Sequence, residues 1–128
     1  MVPYLMVILD EKGDIVDFAS TLSEVEYTPK ELIGRNWFDI FISPSDREKI
    51  QNVFQSIIQG DDRVFKTYKN DILCKNGRHR LIDFYNKLVT KDGKKYTFSV
   101  GIEHMDMDEK LLEKIGEEIF LNHPFFHN

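Results

Sequence analysis

The chain has 128 residues, a single cysteine and a net charge of −5, with 41% hydrophobic and 30% charged residues. That is one domain's length with an ordinary globular balance. The acidic surplus argues against nucleic-acid binding, and the lone Cys74 excludes an internal disulfide and a paired-cysteine metal site. No apolar run approaches the roughly 18 residues of a membrane span, and the run at residues 4–9 is too short for a secretory signal. The expectation is a cytoplasmic chain with neither nucleic acid nor membrane as a partner.

In chain order, LMVIL (5–9) and IVDFAS (15–20) flank DEKGD and predict a hairpin, with Gly13 supplying the positive φ of its turn. Thr21 and Glu24 have capping-box spacing and predict a helix of one or two turns. Thr28-Pro29-Lys30-Glu31 repeats that spacing with Pro29 at the first helical position, and Gly34 ends the helix shortly afterwards. Trp37, Phe38, Ile40 and Phe41 follow at once, and something must cover them. In SPSDREKIQNVFQSIIQG, Ser43 is the expected cap. Ile50, Val53, Phe54, Ile57 and Ile58 then form one apolar stripe, which predicts an amphipathic helix closed by Gly60.

From residue 64 the pattern becomes strands: 64–74, 80–90 and 95–105, joined at Asn76-Gly77 and Asp92-Gly93. The last strand sets Tyr96, Phe98, Val100 and Ile102 on one face and Thr97, Ser99, Gly101 and Glu103 on the other. A final helix is expected after the acids at 106–109. Leu112, Ile115 and Ile119 form a seam, Gly116 weakens the helix, and Pro124 stops it. The fold class is α+β: a five-stranded antiparallel sheet with helices on one face, plus a C-terminal helix. Residues 1–105 are expected to form the main domain, and 106–128 an output or dimerisation helix and tail.

Three stretches carry a family resemblance: LDEKGDIVDF, YTPKELIGRNWFDIF with ISPSDREKI, and GIEHMDMDE. Over residues 5–109 the sequence resembles a PAS domain, a sensory module of bacterial signalling proteins. The middle stretch is similar to the family's GYTPEELIGKNWFDLFHPDDRE, with Glu26 where glycine is usual. Gly101 and Asp106 match the family's strand ending and handover residue, while Met107 and Asp108 replace its Ile and Thr. The resemblance implies that the helices cup over the sheet's concave face. Trp37 and Phe41 would then turn inward toward Phe54, Ile57 and the apolar side of the last strand.

Two family cofactors find no match. Haem ligation asks for a pocket-facing axial group, and the long helix holds no histidine; the covalent flavin chemistry needs a thiol within 31–39, where there is none. Cys74 suits a small buried apolar residue. Asp83, between Ile82 and Phe84, is the acid in the least usual setting, but nothing around it composes a nucleophile, base and orienter. No cofactor, metal or catalytic residue is expected, and the chain does not read as an enzyme.

The expected function is a sensory module that relays a ligand- or packing-dependent change to its C-terminal helix and a partner. It would be the input domain of a histidine kinase or diguanylate cyclase. Trp37, Phe41, Phe54, Ile57, Tyr68, Phe84, Phe98 and Val100 are the candidate lining of a small-molecule pocket. Asp106, Leu112, Ile115 and Ile119 are the candidate output and homodimerisation residues. The effector would lie in cis or be a signalling protein in trans. Two alternatives stand beside this: a constitutive homodimerisation domain with a filled core, and a small enzyme on a cone-shaped α+β fold. Neither the signal nor the effector is named by the sequence.

Overall fold

The computed structural model describes residues 2–61, 63–105 and 108–127. Five strands form one antiparallel sheet in the order β2-β1-β5-β4-β3. They are β1 (Leu5–Leu9), β2 (Ile15–Ser20), β3 (Thr67–Leu73), β4 (His79–Lys91) and β5 (Lys94–Glu103). Between β2 and β3 lie α1 (Pro29–Leu32), α2 (Trp37–Phe41) and α3 (Arg47–Ile58), and α4 (Glu109–Leu121) follows β5. The order and pairing are those expected of an α+β chain with an inserted helical segment.

The short helices are held by local chemistry. Thr28 Oγ1 accepts from the Glu31 amide at 3.3 Å while a Glu31 carboxylate oxygen accepts from the Thr28 amide at 2.7 Å, a complete capping box. Asn36 opens α2 by accepting from the Phe38 and Asp39 amides at 3.0 and 3.3 Å. Its Nδ2 reaches back to the Lys12 carbonyl and the Asp14 carboxylate, both at 3.1 Å. One asparagine thereby fastens the β1–β2 turn to α2. Gly13, at φ +84°, leaves room for the Phe38 ring: a Cβ there would lie 2.4 Å from Phe38 Cε2. Arg47, at the start of α3, donates to the Phe38 and Ile42 carbonyls at 3.0 and 3.1 Å and to the Asp39 carbonyl at 3.1 Å. It satisfies carbonyls that a five-residue helix leaves open.

Three boundaries differ from the sequence reading. No helix forms at residues 21–28. The Thr21 hydroxyl accepts from the Tyr4 amide at 2.9 Å, so it extends the β1–β2 ladder, and Glu24 takes a left-handed φ of 72°. α3 begins at Arg47 after a turn in which the Asp46 amide donates to the Ser43 carbonyl, so Ser43 is not its cap. β3 begins at Thr67, because residues 63–65 form turns and Val64 is exposed.

Both faces of the sheet are buried. The inner face packs under α1–α3: Leu5, Val7 and Leu9 of β1, Ile72 of β3, and Ile82 and Phe84 of β4 form one core with Trp37, Phe38, Phe41, Ile50 and Phe54. The outer face packs under α4 and the tail, where Met6, Ile8, Phe98 and Val100 meet Phe120, Ile115, Ile119, Phe125 and Phe126. Beside them Tyr85, Ile102 and Leu112 make a third cluster. β1 is buried at all five positions, as a strand covered on both sides must be.

Candidate functional site

The inner core leaves a gap under α2 and α3. A cavity of about 60 Å³ lies between α2, α3 and the sheet. Its helical wall is Trp37 and Phe38 from α2 with Ile50, Val53, Phe54 and Ile57 from α3. The sheet supplies Val7 and Leu9 from β1, Phe84 from β4 and Tyr68 from β3. A polar strip crosses this apolar shell: Thr97 and Ser99 of β5, Asn86 of β4 and Asn70 of β3. Registry explains the strip, since Ser99 faces Val7 on one side and Asn86 on the other, and Thr97 faces Leu9 and Leu88.

The strip is partly tied together. Ser99 Oγ donates to Asn86 Oδ1 at 2.7 Å, and Asn86 Nδ2 donates to the Phe65 carbonyl at 3.0 Å. Thr97 is 2% exposed, and its Oγ1 has no hydrogen-bond partner among the described residues. Among the described residues no Asp, Glu, Lys, Arg or His lines the cavity.

Of the candidate pocket residues, Trp37, Phe54, Ile57, Tyr68 and Phe84 border the cavity. Phe41 stands one layer back and stacks on Trp37 with ring centroids 4.3 Å apart. Phe98 and Val100 lie on the opposite face of the sheet, under α4, and do not border it. The alternation of β5 is as read, but its apolar side turns outward and its small polar side turns toward the helices. Gly101 follows the same logic, since a Cβ there would lie 2.6 Å from Ile82 Cγ2 and 2.8 Å from Phe84 Cε1. The candidate set lacks the apolar Val7, Leu9, Phe38, Ile50 and Val53 and the whole polar strip of Thr97, Ser99, Asn86 and Asn70. For Thr97 and Ser99 the signal was a small polar run at period two opposite an apolar face; Asn86 and Asn70 instead interrupt apolar faces, between Phe84 and Leu88 and between Tyr68 and Ile72.

The output residues lie together on the outer face. Leu112 is buried, while Ile115 and Ile119 are half-buried against their own sheet. Gly116 presses on Tyr85, where a Cβ would come within 2.3 Å of Cδ2. Tyr85 donates to the Glu117 carboxylate, which Lys87 also reaches at 3.1 Å. Burial opposes ionisation of Glu117, but these two partners outweigh it and hold the carboxyl below its usual range. Asp106 lies outside the described residues; Asp108 caps α4 by accepting from the Lys110 amide at 3.1 Å.

The remaining candidates take structural roles. Asp83 pairs with His104 Nδ1 at 2.9 Å. Cys74 is buried, and desolvation pushes its thiol up. In the one basic cluster, Lys75 pairs with Glu31, Arg78 with Glu24, and Arg80 with both Glu24 and Glu103. A wider open cleft of about 600 Å³ runs from β3 to the start of α4, along Thr67, Asp83, His104 and Glu109. Both are partly open to solvent, but the smaller one beneath Trp37 is mainly apolar and holds the unpartnered hydroxyl of Thr97. Among the described residues no group of three or more His, Cys, Asp or Glu could hold a metal ion, and no helix is long and apolar enough to cross a membrane.

A family profile described as a PAS domain matches residues 3–115. The chain is a PAS domain. It is similar to the PAS domain of the RpfR quorum-sensing receptor of Cronobacter turicensis, solved in complex with BDSF. That likeness has 26% identity and a TM-score of 0.63, and covers 82% of this chain and 97% of that one. The same domain in complex with C12:0 gives 26% identity, a TM-score of 0.64 and the same coverage. The fold recurs in the PAS domain of an HTR-like protein from Haloarcula marismortui, at 16% identity, a TM-score of 0.61, and coverage of 80% and 82%. Comparison with curated proteins gave no match. PAS domains are sensory modules, and the cavity and the docked α4 of this one lie on the two faces of a single strand.

Proposed function

We propose that this PAS domain senses a small molecule taken up in the cavity beneath Trp37 and Phe54 and relays its presence to α4. The observation that carries the reading is the arrangement of β5. Thr97 and Ser99 border the cavity, while Phe98 and Val100, between and beside them, pack under α4. A ligand that shifts β5 by a fraction of an ångström moves the floor on which Phe120 rests. Phe98 and Phe120 meet edge to face with centroids 5.2 Å apart, so the contact responds to small displacements. Such a relay is a population shift between docked and released α4. The ligand-bound quorum-sensing receptor domain supports the small-molecule half of this reading.

The partner belongs to the same proposal. Leu112, Ile115 and Ile119 are turned toward the sheet, so a second copy would meet that seam only when α4 leaves. The effector would be a histidine kinase or diguanylate cyclase in cis, or a signalling protein in trans, and the working compartment the cytoplasm. Filling the cavity tests the relay without knowing the ligand. Val53→Phe places a ring into the cavity from α3, and amide exchange then reads β5 and α4. Altered protection of α4 is expected. Parental protection in α4, with β5 perturbed, would show that the two faces are uncoupled.

A further inference from the structure

The cavity's polar groups are unequally provided for. Ser99 Oγ donates to Asn86 Oδ1, Asn86 Nδ2 donates to the Phe65 carbonyl, and Asn70 Nδ2 donates to the Asp71 carbonyl at 3.0 Å. Thr97 Oγ1 has nothing among the described residues, although it is fully withdrawn from solvent. Valine has nearly the same shape and at least as good a strand propensity, so neither packing nor the strand requires this hydroxyl.

Among the described residues, no charged side chain lines the same space. The nearest cation on that face of β5, Lys95, donates to the Ile58 carbonyl at 3.2 Å, at the end of α3. The Phe38 and Asp39 amides at the start of α2 are taken by Asn36 Oδ1 and are not free for an anion. A carboxylate or phosphate set against Thr97 would be buried with no counter-charge among the described residues, which is strongly disfavoured. The volume is also small, about 60 Å³ in a pocket that is partly open, so the body of a ligand is limited to a few carbons.

From these observations we infer that the ligand is an uncharged, short molecule, with an apolar body of a few carbons and one hydroxyl, carbonyl or amide that pairs with Thr97 Oγ1. The inference rests on the ligand-sensing reading above and adds the chemistry of the ligand to it. Thr97 acts as the selecting group, and the aromatic and aliphatic wall from α2 and α3 takes the body.

Three four-carbon probes separate the possibilities: 1-butanol, 1-chlorobutane and sodium butyrate, titrated into isotope-labelled protein. Shifts are read at the Thr97 and Ser99 amides and at the indole of Trp37, the only tryptophan in the chain. 1-Butanol should bind about fivefold more tightly than 1-chlorobutane, the effect of one net hydrogen bond. Butyrate should give no saturable shift. Thr97→Val should bring 1-butanol down to the level of 1-chlorobutane, while Thr97→Ser keeps the preference. Butyrate binding as well as 1-butanol would overturn the inference, as would an undiminished alcohol preference in Thr97→Val. If both neutral probes bind equally to the parent, the ligand cavity stands and the role of Thr97 falls. If neither binds, the ligand-sensing reading falls with it.

Discussion

Thr97 shows what a single atom can decide. A buried hydroxyl without a partner costs about 1–3 kcal/mol relative to one that is paired or absent. Thr97→Val removes it with little change of volume. The ligand-free variant should therefore be more stable than the parent by about 1 kcal/mol, measured as the midpoint shift in urea at constant slope. Equal or lower stability would show that the hydroxyl is satisfied within the cavity. The same residue marks where the sequence ran out. Period two divides β5 into Thr97, Ser99 and Gly101 on one side and Phe98, Val100 and Ile102 on the other, but it does not say which side meets α3. The apolar side was read as the lining because a sheet covered once turns its apolar side to the cover. This sheet is covered twice, and the hint was in β1, where LMVIL is apolar at every position. Phe54 and Ile57 were legible because a helical stripe has one possible inside.

At the scale of the element, α4 is held by apolar packing and by a buried-edge charge cluster around Glu117. Glu117 accepts from Tyr85 and pairs with Lys87, and its carboxyl lies below the ordinary value of 4.5. A folded value below the unfolded one means the contribution is complete above that ordinary value and is lost as pH falls through the folded one. α4 should thus loosen on acidification below about pH 4.5. Glu117→Gln should loosen it already at neutral pH and flatten the acid response. The α4 amide resonances followed against pH provide the check, and coincident titrations for parent and variant would remove Glu117 from the docking. The helix itself was legible from Leu112, Ile115 and Ile119, as was its stop before Pro124. Its partner was not, because the same seam suits a second helix or a sheet face. Gly116 carried the missing information: a glycine in mid-helix that weakens propensity is what lets the helix backbone reach the ring of Tyr85.

For the whole molecule, the question is what α4 covers. Docked, it hides Phe98, Val100 and Ile102 together with its own Leu112, Ile115 and Ile119. Thirteen residues make a helix too short to be stable alone in water, so a released α4 needs a new apolar surface. The uncovered sheet of a second copy offers one. Phe120 is the substitution that separates docking from pairing, because it anchors α4 against Phe98 and Phe126 but is not part of the proposed seam. Phe120→Ala forfeits about 3–5 kcal/mol if the site stays as it is, enough to favour release. Analytical ultracentrifugation should then find a concentration-dependent dimer at levels where the parent is monomeric, with amide exchange confirming that α4 has left its own sheet. Adding Ile115→Glu to Phe120→Ala should return the protein to monomer, because the charge enters the shared seam. A released helix in a protein that stays monomeric at every concentration would exclude this face as the homodimer surface, and would leave the relay to act on an effector instead of a second copy.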